Sequence, residues 1–393
     1  TLVSPQYADT RHASVLVVDQ VKPGIVDATR FALGKIAHGH RTRWAGKLVA
    51  VTGSAGKTTT KEMIRGALGA AGATHAADGS LNNETGVPLT LLGLRPFHVY
   101  GVVEMGMRGA NQIEHLARIA EPDVAVVINA GSAHIELLGS TDAIAAAKSE
   151  IWLGLRPGGT VVRPAGDDRL ERHARAHQPR ARHVTFGDGA ADVRLVDYAP
   201  SAGGSAIVLD VFGARHELAL ALVGRHAAID ACAAIAASHA AGASIEEVLV
   251  GIARVRPPAL RGEIVDVDGR HVIVDCYNAN PASMAAALRT LAERGNGRAL
   301  AVLGDMLELG DHAAVAHREA GALARELGIG VIALGGQAKL VVEAAGDHAE
   351  VADSPELAAA RTLARSEPGD WILLKASRGM KLERVLEAMR GGR

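Results

Sequence analysis

Residues 51–60 read Val51-Thr-Gly-Ser-Ala-Gly-Lys-Thr-Thr-Thr60, and this stretch decides the fold of the domain around it. An apolar, strand-like segment, Leu48–Val51, leads into it, and a helix-like segment, Thr59–Gly69, follows. A glycine-rich turn between a strand and a helix aims several backbone N–H groups at one point, and the helix N-terminus adds partial positive charge. The stretch therefore predicts a phosphate-binding loop, although the general pattern has glycine where Val51 stands.

The side chains of this loop have defined roles in that prediction. Lys57 would reach the outer phosphates of a nucleotide, and the Thr58 hydroxyl would take a place on Mg²⁺. A tight turn without a ligand is the alternative, which the Gly-Lys-Thr sequence between strand and helix disfavours. The residues that we expect to bind ATP here are Gly53, Ser54, Ala55, Gly56, Lys57, Thr58 and Thr59.

Composition bounds the class of protein. The chain has 393 residues, of which 48% are hydrophobic and 3% aromatic, so small aliphatic side chains must fill cores of two or three domains. The formal net charge of −1 gives no support to nucleic-acid binding. Two cysteines cannot form a disulfide framework, which favours a reducing, cytoplasmic location. The apolar stretch around Ala227–Ala243 is interrupted by polar residues and predicts a buried helix rather than membrane insertion.

The order of strand-like and helix-like segments predicts an α/β fold with three regions. From residue 46, the two kinds of segment alternate, which is typical of a parallel sheet covered by helices. Short β-like pieces within 184–223 suggest a small antiparallel addition. The proline-containing segment Arg256–Arg261 is a plausible hinge, and a second, Rossmann-like alternating unit follows. We therefore expect domains at 1–45, 46–255 and 256–393.

Three residues near strand ends of the first unit are candidates for the site. Glu104 ends one strand, His134 follows the next, and Lys148 lies on the helix after that. Ligands gather at the carboxyl ends of parallel strands, and Mg²⁺ prefers oxygen ligands such as Glu104 and Thr58. Taken alone, His134 is more readily a polar loop histidine and Lys148 a surface lysine. Beside a metal, Lys148 would have to be neutral or converted by CO₂ to a carbamate.

Polar clusters in two other places are further candidates. Asn82 and Asn83 lie in a loop where neutral amides could hold a phosphate or carboxylate, or simply support a turn. In the last unit, Asp275 ends a strand, and Asn280 before a proline is a good helix N-cap. The segment 375–379 ends another strand and brings two cations and a hydroxyl to the same edge.

Together these segments resemble the Mur ligases of peptidoglycan synthesis, from about residue 15 to the end of the chain. The P-loop variant at 52–62 and the Ala-Lys-Ser-Glu-Ile segment at 147–151 match the family, as do Leu-Asn-Asn-Glu-Thr-Gly at 81–86 and Glu-Met-Gly at 104–106. The segments Tyr-Asn-Ala-Asn-Pro at 277–281 and Gly-Asp-Met-Leu-Glu-Leu-Gly at 304–310 are the more specific matches. The resemblance implies a three-domain enzyme that uses ATP to form an amide bond.

The resemblance also implies roles and partners. The substrates would be a UDP-N-acetylmuramoyl tripeptide and D-alanyl-D-alanine, joined through an acyl-phosphate with ATP and Mg²⁺ as cofactors. The enzyme would be a monomer in the cytoplasm. Thr58 and Glu104 would hold one Mg²⁺, His134 a second, and Lys148 would be carbamylated. The other implied contacts are Arg261, Asp275 and Asn278 to ATP, Asn82, Asn83 and Asn280 to substrate, and Ser377 and Arg378 to the dipeptide.

The sequence departs from the family pattern in two respects. Ala227 replaces an asparagine that helps to recognise adenine, so recognition of the base would differ here. Residues 1–45 would be only the remnant of the domain that binds the uridine nucleotide. Two alternatives follow: an amide ligase of the same fold that acts on another carboxylate in secondary metabolism, and a non-catalytic ATP-binding scaffold. Retention of Lys57, Glu104, His134 and Lys148 together weakens the scaffold hypothesis.

Overall fold

The computed structural model describes residues 28–131 and 138–391, which form two α/β units. In the first unit, nine strands form one sheet in the order β2-β3-β1-β4-β5-β6-β7-β8-β9. Neighbouring strands from β2 to β7 pair in parallel, whereas β7, β8 and β9 pair antiparallel. These strands are Lys47–Thr52, Thr74–Ala76, Tyr100–Glu104, Val124–Val127, Thr160–Pro164, Arg182–Gly187, Val193–Ser201, Gly204–Val211 and Ala214–Leu220.

The second unit has a six-stranded sheet in the order β10-β11-β15-β12-β13-β14. β10 and β11 form an antiparallel hairpin, and the remaining neighbours pair in parallel. Its central strands are buried along their length, as expected for a sheet with helices on both faces. The six strands are Glu263–Val267, Arg270–Asp275, Ala299–Leu303, Gly330–Ala333, Ala349–Val351 and Trp371–Lys375.

Helices cover both sheets. Those of the first unit, α1 to α8, are Ala28–Arg43, Lys57–Ala71, Gly86–Leu92, Gln112–Ala120, Thr141–Ser149, Asp168–His177, Arg225–Ala240 and Ile245–Ala253. Those of the second, α9 to α13, are Pro281–Gly295, Ala313–Glu326, Ala338–Ala345, Pro355–Ala364 and Glu383–Met389. Short 3₁₀ turns span Glu150–Gly154, Gly310–His312 and Arg378–Met380.

The core explains why so few aromatic residues suffice. Helix α7, Arg225–Ala240, is alanine-rich, and its central residues from Ala231 to Ser238 are buried against the first sheet. Small side chains let the helix approach the strands closely, so that valine and leucine fill the remaining space. The predicted buried helix in this region is confirmed. Among the described helices, none combines the length and hydropathy that crossing a membrane requires.

The predicted α/β fold with parallel sheets is confirmed, and the differences lie in short or irregular elements. The sequence pattern also predicts a helix over Thr141–Leu155, which is α-helical only to Ser149 and continues as a 3₁₀ turn. Several elements were not predicted, among them helices α3, α6 and α11 and strands β2, β6, β10 and β14. The sequence pattern also predicts a strand at Val15–Val18 and a helix near Ile25–His40. That strand and the start of that helix lie outside the described residues.

Candidate active site

The predicted phosphate loop lies between β1 and α2, at the carboxyl edge of the first sheet. Gly56, which precedes the helix, has φ +79°, a left-handed conformation that glycine adopts without steric cost. A Cβ atom at this position would also lie 2.5 Å from Asp230 Oδ2. Both the backbone conformation and the close approach of a carboxyl group therefore require glycine at residue 56.

Asn129 holds the other side of the loop. Its Oδ1 atom accepts hydrogen bonds from the backbone N–H of Ser54, at 2.9 Å, and of Ala55, at 3.0 Å. Its Nδ2 atom donates to the carbonyl of Ala55 at 3.2 Å. Sequence reasoning did not identify this residue as part of the site. The available signal was its position just after strand β4, where side chains face the carboxyl edge of the sheet.

Lys57 is half-buried and points back into the loop, where its Nζ donates to the carbonyl of Gly53 at 2.9 Å. Burial lowers the pKa of the Lys57 ammonium, the charge of Arg261 lowers it further, and the Glu104 carboxylate acts in the opposite direction. Two cations therefore face the same space beside the loop amides. This arrangement favours a multiply charged anion such as a nucleotide triphosphate.

A hydrogen-bonded network joins the loop to the end of strand β3. Thr58 Oγ1 donates to Glu104 Oε2 at 2.8 Å, and Asn82 Nδ2 donates to Glu104 Oε1 at 2.7 Å. Thr58 and Glu104 are both buried. The predicted proximity of Thr58 and Glu104 is thus observed, and Asn82 lies in contact with the same carboxylate.

Lys148 is fully buried in the last turn of helix α5, contrary to the reading of it as a surface lysine. Its Nζ has no hydrogen-bond partner among the residues that the structure describes. Burial lowers the pKa of Lys148 well below its ordinary value, and the neighbouring charge of Lys57 lowers it further. Burial and the nearby charge of Lys57 therefore both disfavour the protonated form of Lys148.

Asp230, on helix α7, is a second buried ionisable group beside the loop. Burial raises the pKa of its carboxyl group well above the ordinary aspartate value. The carboxyl oxygens face the backbone of Gly56, as the short distances to a Cβ built there show. Burial therefore disfavours the charged carboxylate of Asp230, which would repel phosphate.

The second unit contributes a charged edge of its own. Lys375, buried at the end of β15, forms an ion pair with the partly exposed Asp275, with Nζ 2.6 Å from Oδ2. It also donates to the carbonyl of Asn278 at 3.2 Å. The Arg261 guanidinium lies 3.8 Å from the centre of the Tyr277 ring. Asp275 and Lys375 end strands of the second sheet, whereas Arg261 precedes β10 and Tyr277 follows β11. All four line a cavity that the phosphate loop also lines.

That cavity has a volume of about 440 Å³ and lies between the two units. The predicted site residues in its lining are Ser54, Ala55, Gly56, Lys57, Thr58, Thr59, Asn82, Glu104, Arg261, Asp275, Asn278 and Asn280. Unpredicted lining residues include Ser80, Asn129, His226, Asp230, Tyr277, Thr290 and Lys375. The structure therefore brings groups from both units to one space of nucleotide dimensions.

Some predicted site residues are outside the cavity lining, and Asn280 has a second role beside lining it. Gly53 lies in the loop behind the lining, where its carbonyl accepts from Lys57. Asn83 supports a turn, because its Oδ1 accepts from the N–H groups of Thr85 and Gly86. Asn280 does line the cavity but also caps helix α9, accepting from Ser283 N at 2.9 Å. Its expected role as a helix cap is observed.

The residues assigned to the dipeptide are also outside the cavity lining. Ser377 is buried, with its hydroxyl between the N–H of Leu307 and the carbonyl of Ala279. Arg378 is half exposed and forms an ion pair with Glu383. Their contact with a substrate stays a prediction. His134 lies outside the described residues, so its predicted place on a metal has no structural test.

Within residues 28–131 and 138–391, no cluster of three or more histidine, cysteine or acidic residues could hold a metal by itself. The Thr58 hydroxyl and the Glu104 carboxylate are the oxygen groups that meet beside the loop. Mg²⁺ commonly takes one or two protein oxygens and completes its shell with substrate phosphates and water. The donor set beside Lys57 therefore fits Mg²⁺ bound together with a nucleotide.

Comparison with known proteins identifies the family. Residues 51–238 match the Mur ligase middle domain, and residues 260–378 match the family model described as Mur ligase, glutamate ligase domain. The UDP-N-acetylmuramoyl-tripeptide–D-alanyl-D-alanine ligase of Bacillus subtilis is 36% identical over 372 residues, which are 92% of this chain and 80% of that protein. The chain belongs to the Mur ligase family.

Two solved structures resemble the fold over nearly the whole chain. MurF from Acinetobacter baumannii superposes with a TM-score of 0.89 and 30% identity, covering 98% of this chain and 84% of that one. MurF ligase from Thermotoga maritima in complex with ADP gives a TM-score of 0.86 at 27% identity, covering 96% and 88%. The resemblance predicted from the sequence motifs is confirmed.

Proposed function

We propose that this chain is an ADP-forming ligase that joins D-alanyl-D-alanine to a UDP-N-acetylmuramoyl tripeptide in peptidoglycan synthesis. The observation that carries the proposal is the cavity where the phosphate loop, the Thr58–Glu104 pair and Arg261 face one another across two domains. The names of the relatives supply the substrate class. A chain that binds ATP between two domains can also enclose the acid and amine that it joins.

The protein's contribution to the first step is placement and charge neutralisation. The substrate carboxylate attacks the γ-phosphorus of ATP, ADP leaves, and an acyl-phosphate forms. Both reactants are anions, so their approach is unfavourable without nearby positive charge. Backbone N–H groups of the loop, Lys57 and Arg261 supply that charge at fixed positions, which lowers the barrier without reorganisation during the reaction.

Mg²⁺ is part of the proposal, and Thr58 and Glu104 would hold it. When bound, Mg²⁺ would neutralise phosphate charge and polarise the transferring group. Asn82 would keep the Glu104 carboxylate oriented through its 2.7 Å hydrogen bond. We propose His134 as a ligand of a second ion.

Lys148 is proposed to act as a carbamate. The neutral amine that its burial favours can attack CO₂, forming an N–C bond and releasing a proton. The product is an anion with two oxygens, which the nearby Lys57 charge would stabilise. A buried Nζ that has no hydrogen-bond partner among the described residues, and whose charged form burial disfavours, suits a lysine that undergoes this modification. The conversion would also place a negative charge near the phosphate-binding lysine, Lys57, whose charged form it would favour.

In the second step, the amine of D-alanyl-D-alanine attacks the acyl carbon and passes through a tetrahedral intermediate. Phosphate leaves and the nitrogen loses a proton, which completes the amide. We place the dipeptide near the edge of the second domain that carries Asn280, Ser377 and Arg378. A cytoplasmic location, where ATP is abundant, and a monomeric state belong to the same proposal.

Phosphate release from ATP tests the proposal. We expect release that requires both a UDP-N-acetylmuramoyl tripeptide and D-alanyl-D-alanine, with the amide product detected by mass spectrometry. Lys57→Ala should abolish turnover while its circular dichroism spectrum stays that of the wild type. Lys47→Ala, with a side chain 56% exposed in the same domain, is the matched control. Turnover with other acids and amines but not with these substrates would instead indicate a ligase of secondary metabolism.

A further inference from the structure

Tyr277 contacts functional groups of both domains at once. Its hydroxyl lies 2.7 Å from the Oγ of Ser80, which belongs to the first domain. Its ring lies beneath the guanidinium of Arg261, with Cζ 3.8 Å from the ring centre. Tyr277 is partly exposed in the cavity rather than packed in a core. The side chain therefore contributes to the site more than to the stability of its domain.

The ring of Tyr277 restrains Arg261. A cation over an aromatic face is attracted to the negative face of the ring, and more strongly the further the pair is desolvated. Among the described residues, the guanidinium of Arg261 has no carboxylate partner that would compete with phosphate for its charge. The charge of Arg261 lowers the pKa of Lys57, and both residues line the same cavity, so the guanidinium lies near the phosphate loop. The ring thus orients a cation without neutralising it.

The hydroxyl of Tyr277 acts on a loop of the first domain. Buried Lys61 fixes the start of this loop, because its Nζ donates to two carbonyls within 77–79 at 2.7 and 2.6 Å. Asn82 fixes the end through its hydrogen bond to Glu104. Ser80 lies between these two attachments. A hydrogen bond to Ser80 therefore restrains a short segment that is attached at both ends. This segment ends at Asn82, the hydrogen-bond partner of the proposed metal ligand Glu104.

We infer that Tyr277 is a positioning residue, which aligns Arg261 with the loop at residues 77–82 when the two domains enclose ATP. The inference rests on the proposed function, since it assigns Tyr277 to the phosphoryl-transfer step. The ring and the hydroxyl of Tyr277 have separate roles. The ring supports nucleotide binding through Arg261, and the hydroxyl supports the closed arrangement through Ser80.

Another contact between the domains provides a control. Arg294 donates to the carbonyls of Ser201 and Gly204 in the β7–β8 turn, and it is not part of the cavity lining. If any contact between the domains served equally well, Arg294→Ala would reproduce the effect of losing the Tyr277 hydroxyl. If the alignment of the groups that line the cavity matters, Arg294→Ala would not reproduce that effect.

The test is a double-mutant cycle with Tyr277→Phe, Ser80→Ala and the double variant, measured as kcat and KM for ATP. Each single variant should lower kcat about 5-fold, the equivalent of a neutral hydrogen bond of about 1 kcal/mol, with KM for ATP unchanged. The double variant should be no slower than the slower single variant, because both remove the same bond. Tyr277→Leu, which also removes the ring, should in addition raise KM for ATP, and Arg294→Ala should leave the ratio of the two parameters unchanged.

Wild-type kcat in Tyr277→Phe, or additive effects of the two single substitutions, would overturn the inference. Calorimetric binding of an ATP analogue to Tyr277→Leu and to the wild type separates its failure from that of the proposed function, because binding needs no acceptor substrate. Equal affinity would refute the role of the ring whichever acid the enzyme uses. Weaker affinity in Tyr277→Leu, with normal thermal unfolding, would support it.

Discussion

Thr58 Oγ1 donates a 2.8 Å hydrogen bond to Glu104 Oε2, which joins the phosphate loop to the end of strand β3 across 46 residues of sequence. Both side chains are buried at this point. A buried carboxylate needs donors or a cation to offset its lost hydration, and the Thr58 hydroxyl and the Asn82 amide supply two donors. A divalent cation would replace the Thr58 donor with stronger compensation.

Glu104→Gln tests this arrangement. The substitution keeps the size of the side chain but removes the negative charge, so we expect the Mg²⁺ concentration for half-maximal ATP turnover to rise and kcat to fall about 100-fold, equivalent to about 3 kcal/mol. Steady-state assays over a Mg²⁺ titration would measure both. Glu114→Gln alters a carboxylate paired with Arg118 outside the cavity and should behave as the wild type. An unaltered Mg²⁺ dependence in Glu104→Gln would place the metal elsewhere.

Lys148 gives a prediction about chemistry. Lys148→Ala should lose nearly all ligation, and added bicarbonate should not restore it, because no amine remains to form the carbamate. Wild-type protein incubated with ¹³C-bicarbonate should show a carbamate resonance by NMR that is missing from the variant. Ordinary ligation by Lys148→Ala would remove the carbamate from the mechanism.

The same residue predicts a dependence of stability on pH. Because burial depresses the pKa of Lys148, the unfolded chain binds the proton more tightly, and stability falls as the pH drops below the ordinary lysine pKa. Lys148→Met removes this proton-linked loss while keeping an unbranched side chain. In CO₂-free buffer, its melting temperature should exceed that of the wild type at neutral pH, and the difference should shrink as the pH rises. A constant difference would contradict the depressed pKa.

Local sequence predicted those parts of the site that depend on short-range geometry. The phosphate loop follows from one strand, a glycine turn and a helix, all within about 25 residues, and the cap at Asn280 follows from its proline neighbour. The contacts of Asn129 with Ser54 and Ala55 span 75 and 74 residues, respectively, and nothing in the local pattern of either segment specifies them.

The sequence also did not predict which single polar residues are buried. Helix α5 has alanines on several faces, so its sequence does not distinguish an exposed lysine from a buried one. Packing of the surrounding elements buries Lys148, and that packing is decided by residues far apart in the chain. The same reason applies to Asp230, which lies in a helix with apolar side chains nearly all round.

Asp230 predicts a pH dependence of opposite sign. Because burial raises its pKa, its contribution to stability is complete below the ordinary aspartate pKa and is lost as the pH rises toward the raised value. Asp230→Asn keeps the shape and cannot ionise, so thermal unfolding should show a stabilisation that grows from acidic to mildly alkaline pH. Asp78→Asn, at a side chain 95% exposed, should show no such trend. A stabilisation independent of pH would contradict the raised pKa.

Gly56→Ala tests the packing of the phosphate loop against helix α7. Two costs add at this position: the φ of +79°, which is unfavourable by about 1 kcal/mol for an L-residue, and the contact of the new Cβ with Asp230 Oδ2. Gly158→Ala isolates the first cost, since Gly158 has φ +78° with open space around a Cβ. Gly56→Ala should therefore lower the free energy of unfolding, measured in urea, more than Gly158→Ala does. Adding Asp230→Ala should recover the excess, whereas equal costs at both glycines would show that the loop yields to the carboxyl group without strain.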